Sequence, residues 1–320
     1  MTLAERARAF RWWHEAILFL LLVALFATAG ALLPNFVNVK KQLLLSRHLW
    51  EIAILALGMT LIIITGGIDL SVGSTMGLCA VVFGLCFSVT SSLAVSCVAC
   101  IAAGVCSGAI NGLLISRMNV HPLIVTLATY AGYRGMAEGI SQGTSYSQFG
   151  HGFSRLARGM WFGVPLPAYL FLLLAIGFAV FLAKTATGRF IYAIGHNETA
   201  ARFSGISVDR INFGLYTSSG VLAALATIIY ISRFDTAKAD AGSGFELDVI
   251  TAVVVGGTSI FGGRGNIVGT VLGLLLIHET RLFVRSYWQI DELRSIVIGF
   301  LLIVSVLVYR ALRRTTDESS

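Results

Sequence analysis

Leu61-Ile62-Ile63-Ile64-Thr65-Gly66-Gly67-Ile68-Asp69-Leu70-Ser71-Val72-Gly73-Ser74 places one acid inside a long apolar stretch. A carboxylate at the centre of a lipid-facing helix costs about 2.5–3.5 kcal/mol on insertion scales. Asp69 therefore has to face protein, water or a helix end. Gly66 and Gly67 permit the helix to break ahead of it, and Asp69 is placed to cap the next helix through backbone amides. Ser71 and Ser74 add hydroxyls beside it. Two readings follow: a broken-helix element on a translocation path, or a capped turn between two spans.

The rest of the chain sets that string in a membrane. Of 320 residues, 56% are hydrophobic and only 12% charged, with a mean hydropathy of +0.83. A soluble domain carries about a quarter charged residues, so a conventional soluble enzyme is excluded. With about 20 apolar residues per crossing, ten spans are predicted, at 17–33, 50–66, 70–90, 93–115, 123–140, 166–183, 211–232, 245–262, 267–283 and 293–310. The expected fold is all-α, a polytopic membrane protein forming a single transmembrane domain over residues 1–320. Arg134 and Glu138 within 123–140, and Glu246 and Asp248 within 245–262, mark segments expected to be broken or re-entrant. The arginines before the first span and the small residues at Ala27-Thr28-Ala29 imitate a signal peptide. The spans that follow favour a retained helix.

The net charge of +7 fits loops that meet anionic lipid better than nucleic acid, because no basic run with interleaved aromatics occurs. Ten spans put both termini on one side, with twelve of the 23 Lys and Arg residues. That leans toward cytoplasmic termini. Lys40 to His48 reads as an interfacial amphipathic piece. The five cysteines all lie in two adjacent apolar segments and read as small filler, the Cys97–Cys100 pair included. No Walker A pattern is present, so ATP has no site of that type here. The histidines show no metal-ligand spacing. His278-Glu279 reads as a proton relay or as a snorkelling pair near a span end. Gly104, Gly108 and Gly112, four apart, predict close helix packing.

Two further strings stand out. Glu246 and Asp248, followed by Gly256-Gly257-Thr258-Ser259-Ile260-Phe261-Gly262-Gly263-Arg264-Gly265, repeat the mixture of acids, glycines and hydroxyls around Asp69. Such a pair, one in each half, points to an internal repeat with a second broken segment oriented by Glu246 and Asp248. Between them, Asn197 suits an N-cap, Glu198 the positive first turn and Gly205 a C′ stop. The helix so predicted, of about two turns, is too short to stand alone in water. Either it packs on this chain's own membrane face, or it docks into a groove of a cytoplasmic partner and transmits motion.

Gly67 to Ser74, Ala193 to Gly205 and Glu246 to Gly265, in this order, resemble the permease subunits of bacterial ABC sugar importers of the ribose, xylose and galactose type. The resemblance runs from about residue 45 to residue 308. It implies an inner-membrane, non-enzymatic translocation subunit for a monosaccharide or small polyol, paired with a second copy or a sister permease. It also implies a cytoplasmic ATPase, which binds ATP and Mg and docks on Asn197, Glu198, Ala200, Ala201, Ser204 and Gly205, and a periplasmic sugar-binding protein. Asp69, Ser71 and Ser74 would then be keys to the path. Leu276 to Glu292 is more charged than the family pattern, and relatives that carry rhamnose or autoinducer-2 leave the solute open. The rival from another class is an ion-coupled secondary transporter with Asp69, Glu138, Glu246 or Asp248 as the titrating group.

Overall fold

The computed structural model describes residues 13–288, together with Ile296 and Gly299. Among the described residues the regular structure is helical apart from two short ladders. Its helices are α1 (Trp13–Leu32), α2 (Val39–Leu45), a 3₁₀ turn (Ser46–His48), α3 (Trp50–Ile64), α4 (Val72–Thr90), α5 (Leu93–Arg117) and α6 (Pro122–Ser141). After them come α7 (His151–Arg158), α8 (Leu166–Lys184), α9 (Ala186–His196), α10 (Glu198–Phe203), α11 (Val208–Phe234), α12 (Phe245–Val255) and α13 (Ile267–Trp288).

Among the described residues, six helices are long and apolar enough to cross a membrane: α1, α4, α5, α8, α11 and α13. A seventh span arises if α2 and α3, which meet at 62°, are taken together. The segment 245–262 is not one helix. It stops at Val255, and 11 residues are too few to span a bilayer alone. The segment 123–140 is a continuous helix of 20 residues, with Glu138 exposed near its end. The stretch 293–310 and both chain ends lie outside the described residues.

α3 sits at the centre. Every residue from Glu51 to Ile64 is buried, as expected of a helix apolar on all sides. It packs against α11, α12, α8 and α13. α1, α5 and α8 instead bury under a third of their apolar windows and expose large residues such as Leu20, Val98, Leu172 and Leu173. Such continuous apolar surface suits lipid rather than water. The glycines four apart behave as expected, because α5 and α11 form the most extensive helix contact. A Cβ on Gly104 would sit 2.8 Å from the Ala224 Cβ, and one on Gly108 2.9 Å from the Thr217 Cα. The backbones touch where no side chain fits.

α11 has 27 residues, about 40 Å of helix, and joins the two ends of the bundle. It starts beside α10. At the other end Asp235 accepts a hydrogen bond from the Phe149 amide, and Thr236–Ala237 pairs antiparallel with Tyr146–Ser147. A hairpin of Met160–Trp161 with Val164–Pro165 lies in the same loop. It turns on Phe162 and Gly163, both with positive φ, as a type I′ turn requires. The two longest polar connections, 141–165 and 184–210, therefore occupy opposite ends.

Candidate functional site

The Asp69 string is a helix stop followed by a buried polar knot. The Gly66 amide donates to the Ile63 carbonyl at 2.9 Å, and the Gly67 amide to Ile62 at 3.0 Å. With Gly66 at φ +86°, this is a Schellman cap, whose C′ position favours glycine because no Cβ crowds the left-handed backbone. Non-helical backbone then turns into α4. Asp69 Oδ1 accepts the Ser71 amide at 3.0 Å and the Ser71 hydroxyl at 2.6 Å, and Oδ2 accepts the Ser219 hydroxyl of α11 at 2.9 Å. Asn111 of α5 donates to Ser71 Oγ at 2.8 Å. Tyr133 of α6 donates to Asn111 Oδ1 and to the Ser107 carbonyl, and Thr126 of α6 donates to the Ile68 carbonyl. Four helices are thus tied through one carboxylate and its neighbours.

Asp69, Ser71 and Ser74 are all buried, and the gap beside Asp69 has no room for a water molecule. In this conformation they form a packed node rather than the wall of an open route. Ser74 donates to the Ser71 carbonyl within its own helix. The N-cap residue of α4 is Ser71, with Asp69 reaching it from two positions before.

The second interruption has the same construction. At the end of α12 the Gly257 amide donates to Val254 at 2.9 Å and the Thr258 amide to Val253 at 3.2 Å, with Gly257 at φ +90°. This is the same cap that ends α3. The two interruptions also meet. Glu246 is buried against Gly73, and the loop from Ala239 to Gly242 lies on Gly73 and Gly77. Arg134 of α6 clamps this contact. It donates to the Gly73 carbonyl of one interruption at 3.2 Å and to the Ala239 and Ala241 carbonyls of the other. The cation inside the span 123–140 thus finds backbone acceptors rather than lipid. Asp248 turns the other way and pairs with Arg281 of α13. Glu246 and Asp248 do not share one environment.

The helix over Glu198–Phe203 forms as its cap residues predict. Asn197 Oδ1 accepts the Ala200 amide at 2.9 Å, Ser204 is the C-cap residue, and Gly205 has φ +82°. Glu198 and Asp209 both hold Arg202, at 2.9 and 2.6 Å. These bonds, Asp209's first, raise the Arg202 pKa above its ordinary value. Ala201 packs inward with Ile194 and Val208, while Phe203 is 89% exposed. The two alternatives for this helix divide between these residues: Ala201 anchors it to its own chain, and Phe203 projects outward.

α9 links this helix to both interruptions. Tyr192 donates to the Gly265 carbonyl at 2.8 Å. Gly195 packs on Ile64 and Gly263 so closely that no Cβ fits, and the Gly263 amide donates to the Ile64 carbonyl at 2.8 Å. The ends of α3 and α12 therefore converge beneath the helix that leads into α10. Ser219, Asn111 and Arg281 were not marked by local sequence as members of these sites. Their partners lie far away in the chain, and only the general need of a buried acid for a partner pointed to them.

The profile of the family described as branched-chain amino acid transport system / permease component matches residues 46–306. The chain belongs to this permease family. Ribose import permease protein RbsC of Escherichia coli (strain K12) is 36% identical over 306 residues, 93% of this chain and 94% of that one. The protein of the same name from Bacillus subtilis (strain 168) is 40% identical, covering 91% of each chain. Autoinducer 2 import system permease protein LsrD of Photorhabdus temperata is 35% identical over 91% of this chain and 88% of its own. No solved structure matches the chain.

Proposed function

We propose that this chain is the transmembrane subunit of an ATP-driven importer of a monosaccharide, with ribose as the leading solute. Identity of 36% and 40% to ribose import permeases, over more than nine-tenths of the chain in each case, carries this reading. In it, the chain sits in a bacterial inner membrane with both termini in the cytoplasm, crosses it many times and pairs with a second copy or a sister permease. ATP and Mg belong to a cytoplasmic ATPase, and a periplasmic binding protein delivers the sugar. The chain supplies no catalytic group of its own.

In this mechanism the ATPase grips α10 through Asn197 to Gly205, with Phe203 in its groove. Rotation of α10 is passed by α9 to the ends of α3 and α12, which are bonded to each other at Ile64 and Gly263. Arg134, with Glu246 across Gly73, holds the two breaks together in the closed state, while Asp69, Ser71 and Ser74 tie the first break to α5 and α11. Opening requires these contacts to separate. Similarity to the autoinducer 2 permeases supports a second solute, a furanosyl signalling molecule of similar size and polarity.

A strain lacking its own ribose permease, supplied with this chain and its neighbouring ATPase and binding protein, is expected to regain growth on ribose. Membrane insertion without growth, together with uptake of autoinducer 2, would favour the second solute. Insertion with uptake of neither would refute the reading.

A further inference from the structure

Phe162 is an unfavourable residue for the turn it occupies. It sits at φ +48°, in the left-handed region, where a bulky side chain is an outlier and type I′ turns take Asn, Asp or Gly. Its ring meets that of the neighbouring Trp161, 5.3 Å away between centroids, yet Phe162 is 87% exposed and Trp161 58%. A backbone outlier that local packing does not explain points to a function. Met160 is exposed as well, and consecutive large apolar side chains left in the open mark an interaction surface.

The position of the hairpin says what covers it. Leu166, Leu173, Ile176 and Val180 are exposed along α8, and their spacing puts them on one face of the helix. Tyr169, three residues after Leu166 and four before Leu173, falls on the same face. The Trp161 ring packs on Tyr169 at 5.5 Å, and the Tyr169 hydroxyl donates to the Trp161 carbonyl at 2.8 Å. The hairpin is therefore held on the lipid-facing side of α8. Depth follows from length. α8 has 19 residues, about 28 Å of helix, against a hydrocarbon core of about 30 Å. Lys184 closes one end, so the first turn and the hairpin joined to it lie at the opposite boundary. The hairpin's backbone suits that depth, because its strands pair with each other and the Leu166 amide donates to the Gly159 carbonyl at 3.1 Å. The end of α13 lies at the same end of the bundle: Arg285 lines one cavity with Arg233, and Arg158, just before the hairpin, donates to the Arg233 carbonyl. There Tyr287 and Trp288 are half-exposed, with rings 4.9 Å apart. Trp and Tyr gather at membrane–water boundaries because their rings are apolar in body and polar at one edge.

We infer that the Met160–Pro165 hairpin is a membrane anchor: Trp161 and Phe162 insert at the boundary of acyl chains and headgroups in the leaflet away from α10, and pin the start of α8 there. The anchor requires a membrane-spanning chain and is independent of the solute and of the energy source. Its consequence is mechanical. The other end of α8 meets α9 at Thr185, which caps both helices, and α9 leads into α10. An α8 held at fixed depth gives movement of α9 a stationary support.

The test uses the full chain in lipid nanodiscs and reads tryptophan emission with lipids brominated near the headgroup end of the acyl chain. Subtracting the emission of Trp161→Phe from that of wild type cancels the other tryptophans and leaves the Trp161 signal. Brominated lipid should quench that signal by about half or more, and aqueous iodide should barely reach it. Phe162→Asn fits the left-handed turn better than Phe, so it should fold with at least wild-type thermal stability in detergent and lose about half of the lipid quenching. A Trp161 signal quenched by iodide and untouched by brominated lipid would overturn the anchor. So would a signal untouched by brominated lipid that shifts when the periplasmic binding protein is added, which would assign the hairpin to a protein partner. Full lipid quenching in Phe162→Asn would overturn the insertion of Phe162.

Discussion

Asp69→Ala tests the polar knot most severely. The carboxylate accepts three hydrogen bonds, from the Ser71 amide, the Ser71 hydroxyl and the Ser219 hydroxyl, and lies buried with no room for water beside it. Truncation strands these donors in a dry site. The Ser219 hydroxyl has other geometries open to it, since a hydroxyl rotates. The Ser71 hydroxyl is less free, because it also accepts from Asn111. Counting two orphaned donors at about 1–3 kcal/mol each gives a loss of about 2–6 kcal/mol. Asp69→Asn keeps one acceptor toward Ser71 and presents an amide to Ser219, whose hydroxyl can turn to accept, so its cost should be about 1 kcal/mol. The assay is thermal unfolding of the detergent-solubilised assembly, alongside Ser219→Ala. The expected order of stability is wild type, then Asp69→Asn and Ser219→Ala close together, then Asp69→Ala well below. An Asp69→Ala protein as stable as wild type would refute the claim that the knot ties α4, α5, α6 and α11.

Gly104→Leu should block the approach of α5 to α11, where even a Cβ would lie 2.8 Å from its neighbour, and should abolish recovery of folded protein in a size-exclusion assay. Phe203→Asp should eliminate copurification of the ATPase while leaving the permease folded, because Phe203 is exposed and packs on nothing in its own chain's core. Ala201→Glu should instead destabilise the permease itself, because Ala201 is buried. Arg281→Ala leaves the half-buried Asp248 without its ion partner and should cost about 1–3 kcal/mol of stability, between an exposed and a fully buried pair. The double change Arg281→Leu with Asp248→Leu should restore most of it in the same unfolding assay.

The α10 helix was legible in advance because capping is local: Asn197 sits three residues before the amide it accepts, and Gly205 stands where a left-handed residue is needed. The stripe of Gly104, Gly108 and Gly112 was legible for a similar reason, since four-residue spacing fixes one helix face. Length along the membrane was less so. The segment 245–262 reads as one span because Val253 to Val255 and Ile260 to Phe261 keep it apolar across Gly256 and Gly257. Hydropathy carries no information on φ, and the Gly257 cap ends the helix there. The site partners were the least accessible. Ser219 lies 150 residues from Asp69 and Arg134 lies 105 from Ala239. A buried charge announces that it needs a partner, but not which one. The contact between the two interruptions, clamped by Arg134, depends on the folded arrangement of α4, α6 and the loop before α12.

The central claim is that an ATPase on α10 drives sugar across the membrane through this chain, and the energy source tests it most directly. In cells carrying the chain with its ATPase and binding protein, labelled ribose uptake is measured after ATP depletion and, separately, after an uncoupler that collapses the proton gradient while ATP is maintained. Uptake should fail on ATP depletion and survive the uncoupler. Uptake that survives ATP depletion and fails with the uncoupler would contradict the account, and would assign the driving force to an ion moving through Asp69, Glu138, Glu246 or Asp248.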